Sequence, residues 1–199
     1  MPHTSSDASS EALSDALSAL PDGEPGFPAV SGRGGDFTTY ATAAWPRLVR
    51  TAHLLTGDLQ EAEDLVLATL ARVRTRWRRI PRNDVAFHVR RALVEHHLGR
   101  TRRRRVTRLP APFLPAWPRR PAPGRAPAAL AALGVLTALS ARQRAVLVLR
   151  YGDGLSEAET AQLLGCSAGA VRTLARRGLE ALSADPSFVP RHPVPGARP

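Results

Sequence analysis

Two side chains in this sequence have the chemistry of recognition: Arg172 and Arg176, one helical turn apart. A guanidinium is planar, forked and permanently charged, so it matches guanine O6 and N7, or the oxygens of a phosphate, two at a time. Ser167, Ala168 and Gly169 come just before them, where the start of a helix would present free N–H groups to a phosphate. Thr173 shares the face of the two arginines. The run Arg102, Arg103, Arg104, Arg105 is too dense to read bases one by one and suits backbone contacts that are salt-sensitive and sequence-blind. No nucleophile stands with a base and its orienting partner, so an enzyme reading has no residues behind it. His96 and His97 are adjacent, hence about 100° apart on a helix, and with no HExxH spacing they make no metal site. GDG at 152–154 is a turn rather than a phosphate loop, because no GK[ST] follows. Neither a cofactor nor a metal is expected.

The elements that must hold Arg172 and Arg176 are legible around them. Ser156 with Glu159 forms a capping box that starts a helix running to Leu164, and Gly165 turns the chain. Ser167 caps a second helix whose inward stripe is Val171, Leu174, Ala175, Gly178 and Leu182, leaving Gly169, Arg172, Thr173, Arg176 and Glu180 outward. Small Ala161 lets the two helices approach. This is a helix-turn-helix pattern, whose second helix enters the major groove N-terminus first. The bland alternative is a helical hairpin with a solvated basic face; the joint spacing of Ala161, Gly165, Val171 and Leu174 favours DNA binding.

Charge distribution agrees. The chain carries 28 basic against 17 acidic residues, net +11, and every basic one is arginine. Acids gather at the N-terminus (Asp7, Glu11, Asp15, Asp22, Glu24), whereas none occurs from 96 to 152. Such asymmetry points to a polyanion, nucleic acid or an anionic membrane surface. Cys166 is the single cysteine, which excludes a disulfide framework, and it falls where a small packing residue is needed. No signal peptide and no apolar run of about 20 residues is visible, so a soluble, cytoplasmic protein is expected, without membrane insertion.

Taken in order, residues 1–35 read as a disordered acidic tail, with at most a transient amphipathic helix over 11–20. Asp36 should cap a helix with the stripe Phe37, Tyr40, Ala41, Ala44, Leu48, Ala52 and Leu55, kinked or broken near Trp45 by Pro46. A second helix from 59 to about 79 buries Ala62, Leu65, Val66, Thr69, Leu70, Val73 and Trp77. A third, 83–98, has two stripes: Val85, Ala86, Val89, Ala92 and Leu93 on one, Phe87, Val94 and Leu98 on the other. Residues 36–105 thus form a first helical domain. A proline-rich linker, 106–127, separates it from a four-helix domain at 128–183, in which Ser140 caps the helix bearing Ala145, Val146 and Leu149. A disordered tail, 184–199, follows. Trp45 and Trp77 lie on apolar faces and read as core rather than as base-stacking platforms. The fold class is all-α, two small domains.

Two helical modules, a proline-rich tether and a C-terminal helix-turn-helix resemble a bacterial sigma factor of the sigma-70 family. The likeness is to its short extracytoplasmic-function group, nearest the actinobacterial branch. It rests on RLVRTAHLLTGDLQEAEDLV at 47–66, VRRALVEHHLGRTRRRR at 89–105 and LTALSARQRAVLVLRYGDGLSEAETAQLLGCSAGAVRTLARRGLEAL at 136–182. The resemblance implies that the AEDLV helix docks on the clamp helices of core RNA polymerase, through Glu61, Glu63, Asp64, Leu65 and Leu67. It implies that the third helix and the arginines after it meet the −10 promoter element, through Arg90, Arg91, His97, Arg100 and Arg102 to Arg105. It makes Ser167 to Arg177, Arg177 included, the reader of the −35 element. Catalysis would belong to the polymerase, the chain would be a monomer outside holoenzyme, and an anti-sigma factor is a further possible partner.

Departures from the pattern are local. Leu67 stands where the family usually has Gln, Glu95 where it has Asn, and His96 and His97 near the melting site where it has aromatics. A carboxylate facing DNA is unfavourable. Two readings therefore stay beside the first: a sigma-like protein without initiation activity, and a stand-alone helix-turn-helix regulator, which would bind DNA unaided and usually as a dimer on paired half-sites. A basic RNA-binding protein is the weakest, for lack of stacking aromatics on a sheet.

Overall fold

The computed structural model of the chain describes residues 4–18, 37–106 and 127–185, and all their regular structure is helical. The remaining parts of the expected tails and linker, and Asp36 as a cap, lie outside the described residues. The elements are α1 (Thr4–Ser18), α2 (Phe37–Thr56), α3 (Leu59–Arg76), α4 (Val85–Val106), α5 (Pro127–Ala138), α6 (Ala141–Leu147), α7 (Glu157–Leu164) and α8 (Ala168–Ser183). Short 3-10 turns at Trp77–Arg79 and Arg82–Asp84 join α3 to α4, and a π-helical turn, Val148–Gly152, extends α6.

Two cores organise these helices. The first unit, α2 to α4, buries Tyr40, Ala44, Leu48, Ala62, Leu65, Val66, Leu70, Val73, Val89 and Leu93. Asp58 starts α3 by accepting the Glu61 N–H at 2.9 Å. Trp77 is buried, its ring 5.3 Å from those of both Phe37 and Tyr40, and Trp45 packs on the same core. Burial pushes the Tyr40 phenol up to about 12, so it stays neutral. The second unit, α5 to α8, buries Leu136, Leu147, Leu149, Leu163, Val171, Leu179 and Leu182. Its core is completed by Leu54 and Leu55 of α2 and Val94 of α4, with Phe87 and Leu98 packed against it. The two stripes of α4 are thereby explained: one faces each core, and α4 is the wall between them.

Three expectations are corrected. Pro46 does not break α2, which is one helix from Phe37 to Thr56. Pro46 and Thr42, whose carbonyl loses its amide partner, are both exposed, so water replaces that bond while the stripe opposite stays packed. α4 continues to Val106 instead of stopping near residue 98. Residues 4–18, expected to be disordered, form α1, with Leu13 and Leu17 fully buried against the second unit. A helix of this length is marginal alone in water, and burial of two leucines, each worth about 1.5–3 kcal/mol, sustains it.

Within the second unit Gly178 of α8 lies against the fully buried Leu147 of α6; a β-carbon there would sit 2.9 Å from Leu147 Cδ1 and 3.2 Å from its Cγ. Gly178→Val should therefore overpack this contact and lower stability by about 1–3 kcal/mol, read as a fall in the urea midpoint. An unchanged midpoint would contradict the close packing of α6 and α8.

Candidate nucleic-acid interface

The helix-turn-helix is built by local bonds. Ser156 Oγ accepts the Glu159 N–H at 3.2 Å, and Glu159 Oε2 accepts the Ser156 N–H at 2.8 Å. The Ser156 hydroxyl, which donates to Glu159 Oε2 at 2.6 Å, and the Ser156 N–H hold the Glu159 carboxyl below the usual carboxylate range. Gly165 takes φ +62°, a left-handed conformation that costs a side-chain-bearing residue roughly 1–2 kcal/mol, and the Cys166 N–H returns to Ala161 O at 3.0 Å. Ser167 then accepts the Ala170 N–H at 3.2 Å and starts α8. Val171, Ala175, Leu179 and Leu182 are buried, and Leu174 and Cys166 pack partly on the same core.

What remains outward is the face expected from the sequence. Ser167, Ala168, Gly169, Arg172, Thr173, Arg176 and Arg177 are all exposed. Arg172 Nη2 meets Glu157 Oε2 at 2.8 Å, and Arg176 Nη1 meets Glu180 Oε1 at 2.7 Å. The hydrogen bond from Arg172 holds the Glu157 carboxyl below its usual range, and Glu157 in turn raises Arg172. Both guanidiniums make these pairs while remaining 72% and 61% exposed. Thr173 Oγ1 donates to Gly169 O at 2.9 Å, which fixes its hydroxyl on the same face. Glu157 was not singled out in the sequence, because its partner lies fifteen residues away.

The residues assigned to the −10 element divide. Arg91 is exposed and paired with Glu95 at 2.8 Å, so the carboxylate unfavourable to DNA is neutralised within its own helix. Arg102 is exposed and Arg100 half-buried; the side chains of Arg103, Arg104 and Arg105 lie outside the described residues. Arg100 lines a cavity of about 100 Å³ with Thr56, Glu61, Leu65, His97, Thr101 and Arg144. Arg90 and His97 do not face solvent, which corrects their assignment in this arrangement. His97 is buried where α4 packs across both cores. The Arg90 side chain is 11% exposed and its Nε lies 3.2 Å from Oδ2 of Asp153, in the turn of the second unit that the sequence showed only as GDG. Asp153 also accepts from Thr51 Oγ1 at 3.0 Å and has Arg47 Nη2 at 4.0 Å. Burial pushes its carboxyl up against the pull of Arg90 and Arg47, and burial lowers Arg90. The one signal for Asp153 in the sequence was that it is the first acid after the acid-free stretch 96–152.

On α3 the docking residues also divide. Gln60, Asp64, Leu67 and Ala71 form an exposed stripe at helical spacing, whereas Leu65 is fully buried and belongs to the core; Glu61 and Glu63 are half-buried at the edge. Leu67, 57% exposed, is the exposed large apolar side chain among the described residues. Leu67 and Asp64 thus set an apolar and a charged side chain side by side on the solvent face of α3.

Fold and face together define a helical DNA-binding protein that presents a helix-turn-helix beside a second helical unit. Comparison with known proteins narrows this. A family model for sigma-70 region 4 matches residues 130–182. The chain is 32% identical over 148 residues to an RNA polymerase sigma-E factor of Streptomyces coelicolor, covering 74% of this chain and 84% of that protein. It is 30% identical over 148 residues to the sigma-E factor of Streptomyces avermitilis, covering 74% and 83%, and 34% identical over 137 residues to that of Streptomyces antibioticus, covering 68% and 76%. Among solved structures, the sigma factor RpoE of Bartonella quintana, crystallised with the anti-sigma factor NepR, shares the fold at a TM-score of 0.56 and 21% identity, over 75% of this chain and 98% of that one. The chain belongs to the sigma-70 family of RNA polymerase sigma factors. No helix among the described residues is long and apolar enough to cross a membrane.

Proposed function

We propose that this chain binds core RNA polymerase and directs it to promoters, with α8 reading the −35 element and α4 with its arginines meeting the −10 element. The observation that carries the reading is the outward basic face of α8, with Arg172 and Arg176 held one turn apart, on a chain aligned with sigma-E factors over 148 residues. The amides of Ala168 and Gly169, at the start of α8, complement a phosphate, and the two guanidiniums complement base edges or the next phosphate. On α3, Asp64 and Leu67 offer the polymerase a charged and an apolar contact on one stripe. The chain performs no catalysis of its own and needs no cofactor; bond formation belongs to the polymerase. It acts in the cytoplasm as a monomer outside holoenzyme. An anti-sigma partner is part of the proposal, supported by the complex in which the Bartonella quintana structure was solved.

Substitution separates the two binding functions. Arg172→Ala and Arg176→Ala should each reduce discrimination between cognate and altered −35 elements by roughly ten- to a hundredfold, measured by holoenzyme binding to paired duplexes. Unchanged preference would remove these side chains from readout. Asp64→Arg should weaken association with core polymerase roughly tenfold or more in a pull-down titration, and leave the helical circular-dichroism signal intact. Wild-type polymerase affinity in that variant would rule out the α3 stripe as the docking surface.

A further inference from the structure

Two segments of the acid-free stretch 96–152 meet where the end of α4 lies beside the start of α6. Between them is a groove of about 420 Å³, whose lining includes Leu98, Thr101 and Arg102 on one side and Ser140, Ala141 and Arg142 on the other. No carboxylate lines it. Arg102 and Arg142 are exposed, and neither has a carboxylate partner among the described residues, whereas the exposed Arg91, Arg172 and Arg176 each hold one. The Thr101 hydroxyl donates to Leu98 O at 2.9 Å and the Ser140 hydroxyl to Gln143 Oε1 at 2.6 Å. Those protons are committed, so the groove draws its charge from the two guanidiniums. Leu98 and Ala141, both half-buried, add apolar surface.

We propose that this groove binds a small diphosphate-bearing anion of nucleotide size, and that the bound anion competes with promoter DNA for Arg102. Charge, number and size each support that class of ligand. Two like charges facing one groove without a counter-ion repel, and an anion between them relieves the repulsion. Each planar guanidinium takes one phosphoryl group through two parallel N–H donors, so a pair of them matches two linked phosphoryl groups better than one. The volume falls within the roughly 300–1,000 Å³ of small-molecule sites and leaves space that a bare diphosphate would not fill. Leu98 and Ala141 offer that space to the face of a ring or sugar. Binding itself rests on the groove alone. The competition rests on the sigma-factor reading, in which Arg102 meets the DNA backbone near −10, and by linkage DNA must then weaken the anion as the anion weakens DNA.

The test titrates the full chain with ADP, AMP and pyrophosphate in a calorimeter at constant ionic strength. ADP should bind saturably at one site and more tightly than either of the others. Arg142→Ala and Arg102→Ala should each weaken ADP roughly tenfold or more, the loss expected for a charged hydrogen-bonded pair. Arg79→Ala, which removes an exposed arginine of another element, should leave ADP binding unchanged. Should one groove variant lose its helical signal, the other decides. In a second arm, saturating ADP should weaken binding of a fluorescent promoter duplex to the wild-type chain roughly three- to tenfold, and leave the Arg142→Ala chain unaffected. No saturable binding, AMP or pyrophosphate matching ADP, or an equal loss in Arg79→Ala would overturn the site. Equal effects of ADP on duplex binding by wild type and Arg142→Ala would overturn the competition. Co-purification with core polymerase is scored on the same proteins: its failure alongside ADP binding sinks the sigma-factor reading and spares the site, and the reverse pattern spares only the sigma-factor reading.

Discussion

A carboxylate withdrawn from water must be compensated, and Arg90, Arg47 and Thr51 of the other helical unit compensate Asp153. The penalty for burying such an ion alone is several kcal/mol, so the turn after α6 has one acceptable position, against Arg90, Arg47 and Thr51. Much of the packing between the two units is consistent with that constraint. With the turn seated there, α4 lies between the units and Val94 reaches the second core, as do Leu54 and Leu55 from α2. The groove beside the π-helical turn then accepts Leu13 and Leu17, which gives α1 a reason to fold.

Helix α8 is held within the second unit, with α1 against its end through Ser9 and Ser183. Two capping motifs, a left-handed glycine and the close contact of Gly178 with Leu147 fix α8 by bonds within the second unit. Glu157 and Glu180 pair with Arg172 and Arg176 at 2.8 and 2.7 Å. The exposed stripe of α3, Gln60, Asp64, Leu67 and Ala71, likewise lies on continuous helix.

Local chemistry was legible in the sequence because its partners are three or four residues apart. The Ser156–Glu159 box, the Gly165 turn, the Ser167 cap and the inward stripe of α8 all fall in that class, and the outward set from Ser167 to Arg177 followed from them. α4 showed two stripes, but periodicity alone does not say that each faces a different core. Long-range electrostatics was invisible: Thr51 and Asp153 are 102 residues apart, and a GDG turn gives no hint of a buried partner. Arg90 and His97 looked like surface residues on a basic helix and are buried by packing that no single-helix pattern encodes. Residues 4–18 looked disordered because polar residues dominate them; two leucines one turn apart decided otherwise.

Run-off transcription by purified core RNA polymerase, with and without the full chain, on a library of genomic promoter fragments tests the central claim most directly. The account predicts discrete transcripts that depend on the chain and share two upstream elements at a fixed spacing. Tight binding of the isolated chain to the same fragments, with no association with polymerase and no chain-dependent transcript, would contradict it and leave a stand-alone regulator in its place.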